Sequence, residues 1–139
     1  MSCSETMRSV DKPATFVIAE DFGPWRATLR NLLNRPDWRM VGEACDGPSA
    51  VKKATRLQPN IVILDIGLPG LNGIDAAKLI RQSCPTTKVI FLTQQTDDEV
   101  KQAAIEAGCA GYVVKARARK DLTPAITAAL QAASAEVSS

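Results

Sequence analysis

The stretch Ile61-Val62-Ile63-Leu64-Asp65-Ile66-Gly67-Leu68-Pro69-Gly70-Leu71-Asn72-Gly73 decides the fold. Its first four residues are aliphatic and largely β-branched. They are too few to span a membrane and poorly suited to a helix, so they read as a strand buried on both faces. Asp65 follows at the strand's carboxyl end. Pro69, Gly70 and Gly73 then break regular structure and let the chain reverse. In an open α/β sheet, ligands bind in the crevice outside the carboxyl ends of the strands. Asp65 is therefore the candidate reactive group on that rim.

Working outward, the same grammar repeats. Residues 15–19 form an apolar run that ends in Glu20 and Asp21, and Asp21 can also cap the helix that follows. Trp25, Leu29, Leu32 and Leu33 mark that helix over about 24–34, closed by Pro36. Residues 40–44 are a weaker strand, followed by the turn Asp46-Gly47-Pro48 and a helix with Ala50, Val51, Ala54 and Leu57 on one side. Beyond the central turn, Ile74, Ala77 and Ile80 share a third helical face that Pro85 stops. Residues 88–93 are apolar until Thr93. Residues 97–107 are helical, with an acidic start and Gly108 just past the end. Residues 111–115 make a fifth strand ending in Lys115, and Leu122, Ala125, Ile126, Ala129 and Leu130 mark a last amphipathic helix. Short apolar strands alternating with helices imply a doubly wound α/β fold: a five-stranded parallel sheet covered on both faces through right-handed crossovers. The expected organisation is a flexible arm over 1–13, one domain over 14–133 and a polar tail over 134–139.

The totals narrow the function. At 139 residues the chain is one domain's worth, and a net charge of +2 lacks the basic excess expected of a nucleic-acid binder. No segment suggests a secretory signal or a membrane span, which points to a cytoplasmic protein with neither nucleic-acid nor membrane partners. The four cysteines, Cys3, Cys45, Cys84 and Cys109, form no C-x-x-C pair, and the last three read as buried reduced thiols. There is no histidine, which removes histidine bases, histidine metal ligands and Ser-His or Cys-His nucleophile pairs.

Glu20, Asp21, Asp65, Thr93 and Lys115 now stand on one rim. Three crowded carboxylates resist ionisation unless a cation joins them. Hard oxygen ligands without imidazole or paired thiols select Mg²⁺ over Zn²⁺. Mg²⁺ readily shares a phosphate oxygen, so the pocket suits a phosphoryl group. Asp65 can act as a nucleophile forming an acyl phosphate, with Lys115 and Thr93 available to its oxygens.

These residues resemble the receiver domain of two-component response regulators over nearly the whole chain. The acidic pair, the aspartate in an LDxxLPGxxG-like turn, the threonine, the aromatic three residues before the lysine and the lysine agree in type and order. Asp65 lies 44 residues after Asp21, Thr93 another 28 on, and Lys115 another 22 on. The resemblance implies a flavodoxin-like, CheY-like sheet of strand order 2-1-3-4-5. It implies Asp65 as phosphoacceptor, served by a sensor histidine kinase or a histidine phosphotransfer protein. Glu20, Asp21, Asp65 and the backbone carbonyl of Gly67 would hold Mg²⁺, Asp21 most directly. Thr93 and Tyr112 would be the switch pair, and Lys115 the phosphate-binding lysine. Output, or a homodimer, would use the face of the fourth helix, fifth strand and fifth helix. Such a domain is regulatory, with at most self-catalysed phosphotransfer and autodephosphorylation.

The departures from the family pattern carry their own expectations. Glu20 replaces the commoner aspartate and is expected to reach the metal through water. Gln94 is large where the family has a small residue, so it should obstruct the phosphoryl site. Gly67 offers no side chain to an attacking water, leaving Gln95 to orient it. Ala116 replaces the usual proline, and a cis peptide without proline costs about 2.5–4 kcal/mol. A trans bond, or strain, is expected at Lys115-Ala116. A lysine followed by a residue other than proline resembles receivers that precede LuxR-type DNA-binding domains. Two other readings stand beside this one: a receiver-like docking module independent of phosphate, and an aspartate-nucleophile phosphatase of haloacid-dehalogenase type. The phosphatase wants a general-acid aspartate at the position of Gly67.

Overall fold

The computed structural model describes residues 12–94 and 97–138, with side chains of the last helix as far as Ala132. In chain order the elements are β1 (Ala14–Ala19), α1 (Gly23–Leu32), β2 (Trp38–Ala44), α2 (Gly47–Leu57), β3 (Ile61–Asp65), α3 (Gly73–Ser83), β4 (Lys88–Thr93), α4 (Asp98–Glu106), β5 (Gly111–Val114), a 3₁₀ turn (Lys115–Arg117) and α5 (Ala118–Ser138). The strands form one sheet in the order β2-β1-β3-β4-β5, and every pairing is parallel. This is the doubly wound topology expected from the sequence. Among the described residues, no helix is long and apolar enough to cross a membrane.

Successive side chains of a strand point to opposite faces, and that alternation builds two cores. Val17, Val62, Leu64, Val89 and Phe91 face one side, where Ala50 and Ala54 of α2, Ala76, Ala77 and Ile80 of α3 and Ala104 of α4 cover them. Phe16, Ile18, Ile61, Ile63, Ile90 and Leu92 face the other, against Leu29 of α1 and Leu122, Ile126 and Ala129 of α5. Both faces are sealed, which is why β3 is an unbroken aliphatic run rather than an alternating one.

Several boundaries differ from those expected. β2 begins at Trp38 because its indole packs on Phe16, with ring centroids 5.3 Å apart, and Trp38 N–H is tied back to the Arg35 carbonyl. α5 runs on through residues 134–138, the stretch set apart above as a polar tail, which holds no glycine or proline to stop it. The N-cap of α1 is Phe22, with no side-chain cap bond, which corrects the reading of Asp21 as the cap. The exposed Asp21 is thereby left out of the helix start. Cys84 is buried and Cys109 partly so, but Cys45 is exposed, against expectation. It lies just past the end of β2, an edge strand, where no further strand covers it. Cys3 and the rest of residues 1–11 lie outside the described residues.

The turn after Asp65 is gripped from two sides. Gly47 N–H donates to the Pro69 carbonyl at 3.1 Å, and Gly73 N–H donates to the Ile66 carbonyl at 2.8 Å. A Cβ on Gly47 would lie 1.9 Å from the Leu71 carbonyl oxygen, and one on Gly73 would lie 2.4 Å from that of Asp65. Backbone cannot yield as a flexible side chain can. Gly47→Ala is therefore expected to cost about 1–3 kcal/mol through forced overpacking. A Cβ on Gly67 would come no closer than 3.9 Å to another group, so Gly67→Ala should stay within about 0.5 kcal/mol of the parent. Urea unfolding of the two variants side by side checks the contrast.

Candidate functional site

Strand adjacency assembles the site. In register, Ala19 of β1 sits beside Leu64 of β3, Asp65 beside Leu92 of β4, and Thr93 beside Val114 of β5. The residues that end or follow these four strands, Glu20 with Asp21, Asp65, Thr93 and Lys115, therefore arrive in a row at one edge. They line a cleft of about 340 Å³ together with Gly67 and Gln94.

Glu20 is completely buried. Its Oε2 accepts the Phe22 N–H at 3.0 Å, and its Oε1 lies 2.6 Å from Lys115 Nζ. That close ion pair meets the charge of the buried Oε1. Burial pushes the Glu20 carboxyl above its ordinary range; Lys115 and the Phe22 N–H pull it back, and the nearby charge of Asp65 adds a smaller upward push. Asp65 is nearly buried, accepts the Gly67 N–H on Oδ1 at 3.1 Å, and presents Oδ2 3.6 Å from Lys115 Nζ. One carboxylate oxygen each from Glu20, Asp21 and Asp65 fall within 4.8 Å of one another. Such a trio of hard oxygens, with neither imidazole nor thiol among them, could hold a divalent cation.

The other sequence candidates are placed unevenly. Thr93 is buried at the end of β4 and Gln94 is exposed at the cleft mouth. Tyr112 does not line the cleft. It is half-buried on β5, packs against the core under α4, and has the Lys101 ammonium 6.0 Å from its ring centroid. Burial raises the Tyr112 phenol above its usual range. Gln95 lies outside the described residues. No peptide among the described residues is cis, so Lys115-Ala116 is trans.

Two contributors were missed in the sequence. Trp25 carries the helical spacing of a core residue, yet its indole lines the cleft, with Lys115 Nζ 5.2 Å from the ring centroid. Arg26 looks like any exposed helix residue, but its guanidinium donates to the main-chain carbonyls of Glu20 at 2.8 Å and Asp21 at 3.2 Å. Its Nε faces Glu43 at 3.6 Å, and Glu43 is held in turn by Arg30 at 2.9 Å. The backbone bearing the acidic pair is thus braced from β2. No local spacing announces such a brace, because Glu43 and Arg26 meet only once β1 and β2 pair.

Comparison with known proteins agrees with this geometry. Residues 16–127 match the family model described as response regulator receiver domain. The chain is 36% identical over 98 residues to the transcriptional regulatory protein LiaR of Bacillus subtilis, covering 70% of this chain and 46% of LiaR. It thus spans about half the length of that relative. It is 34% identical over 99 residues to the chemotaxis protein CheY of Thermotoga maritima, covering 71% of this chain and 82% of CheY. Among solved structures, a two-component response regulator of the LuxR family from Aurantimonas superposes with a TM-score of 0.82 at 32% identity, covering 87% of each chain. With the strand order, the acidic trio and the lysine in place, the chain belongs to the response regulator receiver domain family.

Proposed function

We propose that this domain is a phosphorylation-controlled signalling switch that accepts a phosphoryl group on Asp65 with the help of Mg²⁺. The observation that carries the reading is the position of Asp65: its Oδ2 lies 3.6 Å from an ammonium, and a carboxylate oxygen of Asp65 lies within 4.8 Å of others from Glu20 and Asp21, all in an open cleft. Asp65 attacks phosphorus, a P–O bond forms, and the P–N bond of a partner's phosphohistidine breaks with its electron pair leaving on the imidazole. Mg²⁺, when bound, neutralises charge on the acidic trio and the transferring phosphoryl group. Glu20, Asp21, Asp65 and the Gly67 carbonyl are the groups that would hold it. Lys115 takes one phosphoryl oxygen and Thr93 another.

The energetics suit a switch. Phosphorylation adds about −1.5 to −2 charge, and hydrogen bonds to charged groups contribute about 1.5–3 kcal/mol each. Two such contacts, from Thr93 and Lys115, approach the roughly 5.5 kcal/mol that inverts a 1:99 equilibrium. Thr93 and Tyr112 sit on neighbouring strands, so a shift of Thr93 reaches the face of α4, β5 and α5. That face is the proposed output surface and homodimer contact. The partners are a sensor histidine kinase or histidine phosphotransfer protein, in the cytoplasm, with no nucleic-acid or membrane contact by this domain itself. Gly67 supplies no general acid, which disfavours the phosphatase reading. Intact Asp65, Thr93 and Lys115 disfavour a phosphate-independent docking module.

The test is uptake of phosphate from acetyl phosphate by the parent protein, followed by intact mass. Labelling should require Mg²⁺, vanish in EDTA and be reversed by hydroxylamine, as an acyl phosphate is. A protein that stays unlabelled with both donor and Mg²⁺ present would sink the reading. Gln94, exposed at the mouth, is the proposed obstruction to small donors. Gln94→Ala should label about two- to fivefold faster, a barrier change of under about 1 kcal/mol. An unchanged rate assigns the access limit elsewhere.

A further inference from the structure

Lys115 leaves the sheet at the end of β5 and enters a 3₁₀ turn, so its backbone alone does not aim a long, freely rotating side chain. Yet the side chain is only 7% exposed. Three groups confine its ammonium: Glu20 Oε1 at 2.6 Å, Asp65 Oδ2 at 3.6 Å, and the indole of Trp25 with its centroid at 5.2 Å. The first two are the carboxylates a divalent cation would recruit. A cation drawing on Glu20 takes away the nearest anion holding Lys115. The indole is not subject to that competition. Trp25 is anchored at the start of α1, its main-chain N–H donating to the Phe22 carbonyl at 3.0 Å, and its side chain packs against the core beneath α1 and α5.

We propose that Trp25 is a positioning residue that keeps the Lys115 ammonium in the cleft by a cation–π contact while the acidic trio is occupied by a divalent cation. The ring face is negative and attracts the ammonium without binding Mg²⁺, so it can retain Lys115 through the step in which Glu20 changes partner. Occupation of the trio by Mg²⁺ and the later entry of phosphate rest on the proposed function; the contact of Lys115 with the indole does not.

The direct test is NMR of the Lys115 ε-methylene group in the full chain, with and without Mg²⁺. Ring current from Trp25 should move these protons upfield in the metal-free protein, and the shift should persist when Mg²⁺ saturates. Trp25→Leu should abolish it, and Trp25→Phe should keep part of it. Loss of the shift on adding Mg²⁺ to the parent overturns the proposal, whatever the protein does with phosphate. A second arm measures beryllofluoride, a phosphoryl analogue, by calorimetry at saturating Mg²⁺. Trp25→Leu should leave Mg²⁺ affinity within about twofold and weaken beryllofluoride by about two- to tenfold, the span of one cation–π contact. In a Lys115→Ala background the same substitution should change nothing further. An equal loss in that background means a merely structural role and overturns the proposal. A parent that shows the ring-current shift but takes no beryllofluoride and no phosphate refutes the proposed function and leaves the positioning role of Trp25 standing.

Discussion

Asp65→Asn is expected to abolish Mg²⁺-dependent labelling by acetyl phosphate while leaving the fold intact and, in EDTA, at least as stable as the parent. An amide of the same shape fills the same space but supplies no nucleophilic oxygen, so the loss should exceed about a hundredfold. Stability should not fall because Asp65 is the member of the acidic trio whose charge pushes the buried Glu20 carboxyl up. Two unit charges about 4 Å apart repel by about 1 kcal/mol in water and about 4 kcal/mol at an effective dielectric near 20. Removing one charge relieves that repulsion. Lys115 keeps its closer partner, Glu20, at 2.6 Å against 3.6 Å to Asp65. Thermal unfolding in EDTA and intact-mass labelling, run on the same preparations, separate the two halves of the expectation. Labelling that survives would move the phosphoacceptor to another residue. A large drop in melting temperature would mean that Asp65 is held by more than the Gly67 N–H and Lys115.

Much of this site was legible in the sequence because its parts follow a local rule. An apolar strand that ends in a polar residue places that residue on the rim, and four strands do so, at Glu20, Asp65, Thr93 and Lys115. β3 was legible as a strand because burial on both faces leaves an unbroken aliphatic run, and the alternation of apolar runs with helices carried the doubly wound parallel architecture, while the strand order came from the family resemblance. What escaped depends on contacts between segments. Trp25 has the i, i+4 relation to Leu29 that marks a core residue, and only the reach of the Lys115 side chain along the carboxyl rim of the sheet brings an ammonium to its ring. Arg26 is read as solvent-facing until β2 pairs with β1 and Glu43 arrives beside it. Asp21 could cap α1 by its type and place in the sequence, but the chain enters α1 one residue later, through Phe22 with Pro24 in the first turn. Cys45 fails the rule that cysteines are buried because it falls beyond an edge strand. Each miss is a case in which tertiary placement overrides a residue's own preference.

Lys115→Ala should produce the second large effect, and a cation should repair it. The substitution leaves the buried Glu20 carboxylate with the Phe22 N–H on Oε2 and nothing on Oε1. Breaking a buried pair by removing one partner typically costs about 3–5 kcal/mol. Truncating Lys115, which lines the cleft of about 340 Å³, opens a path for water to Oε1, so a loss nearer 1–3 kcal/mol is expected here. Its pH dependence has a definite sign. The folded-state pKa of Glu20 is raised above its ordinary 4.5, so folding favours the protonated form and stability falls as pH climbs from 4.5 through the folded value. Lys115 opposes that rise, and removing it extends the decline to higher pH. With metal chelated, the variant should therefore match the parent most closely near pH 4.5 and fall furthest behind it near neutrality. Mg²⁺ should then stabilise the variant more than the parent. In the variant a divalent ion supplies the missing counter-charge, whereas in the parent it must first draw Glu20 away from Lys115. Binding at a hundred times the dissociation constant stabilises by about 2.7 kcal/mol, enough to close most of the gap. Melting curves of both proteins across pH, in EDTA and in Mg²⁺, measure all of this at once. Equal Mg²⁺ shifts in the two proteins would show that Glu20 is not a group for which the lysine and the metal compete.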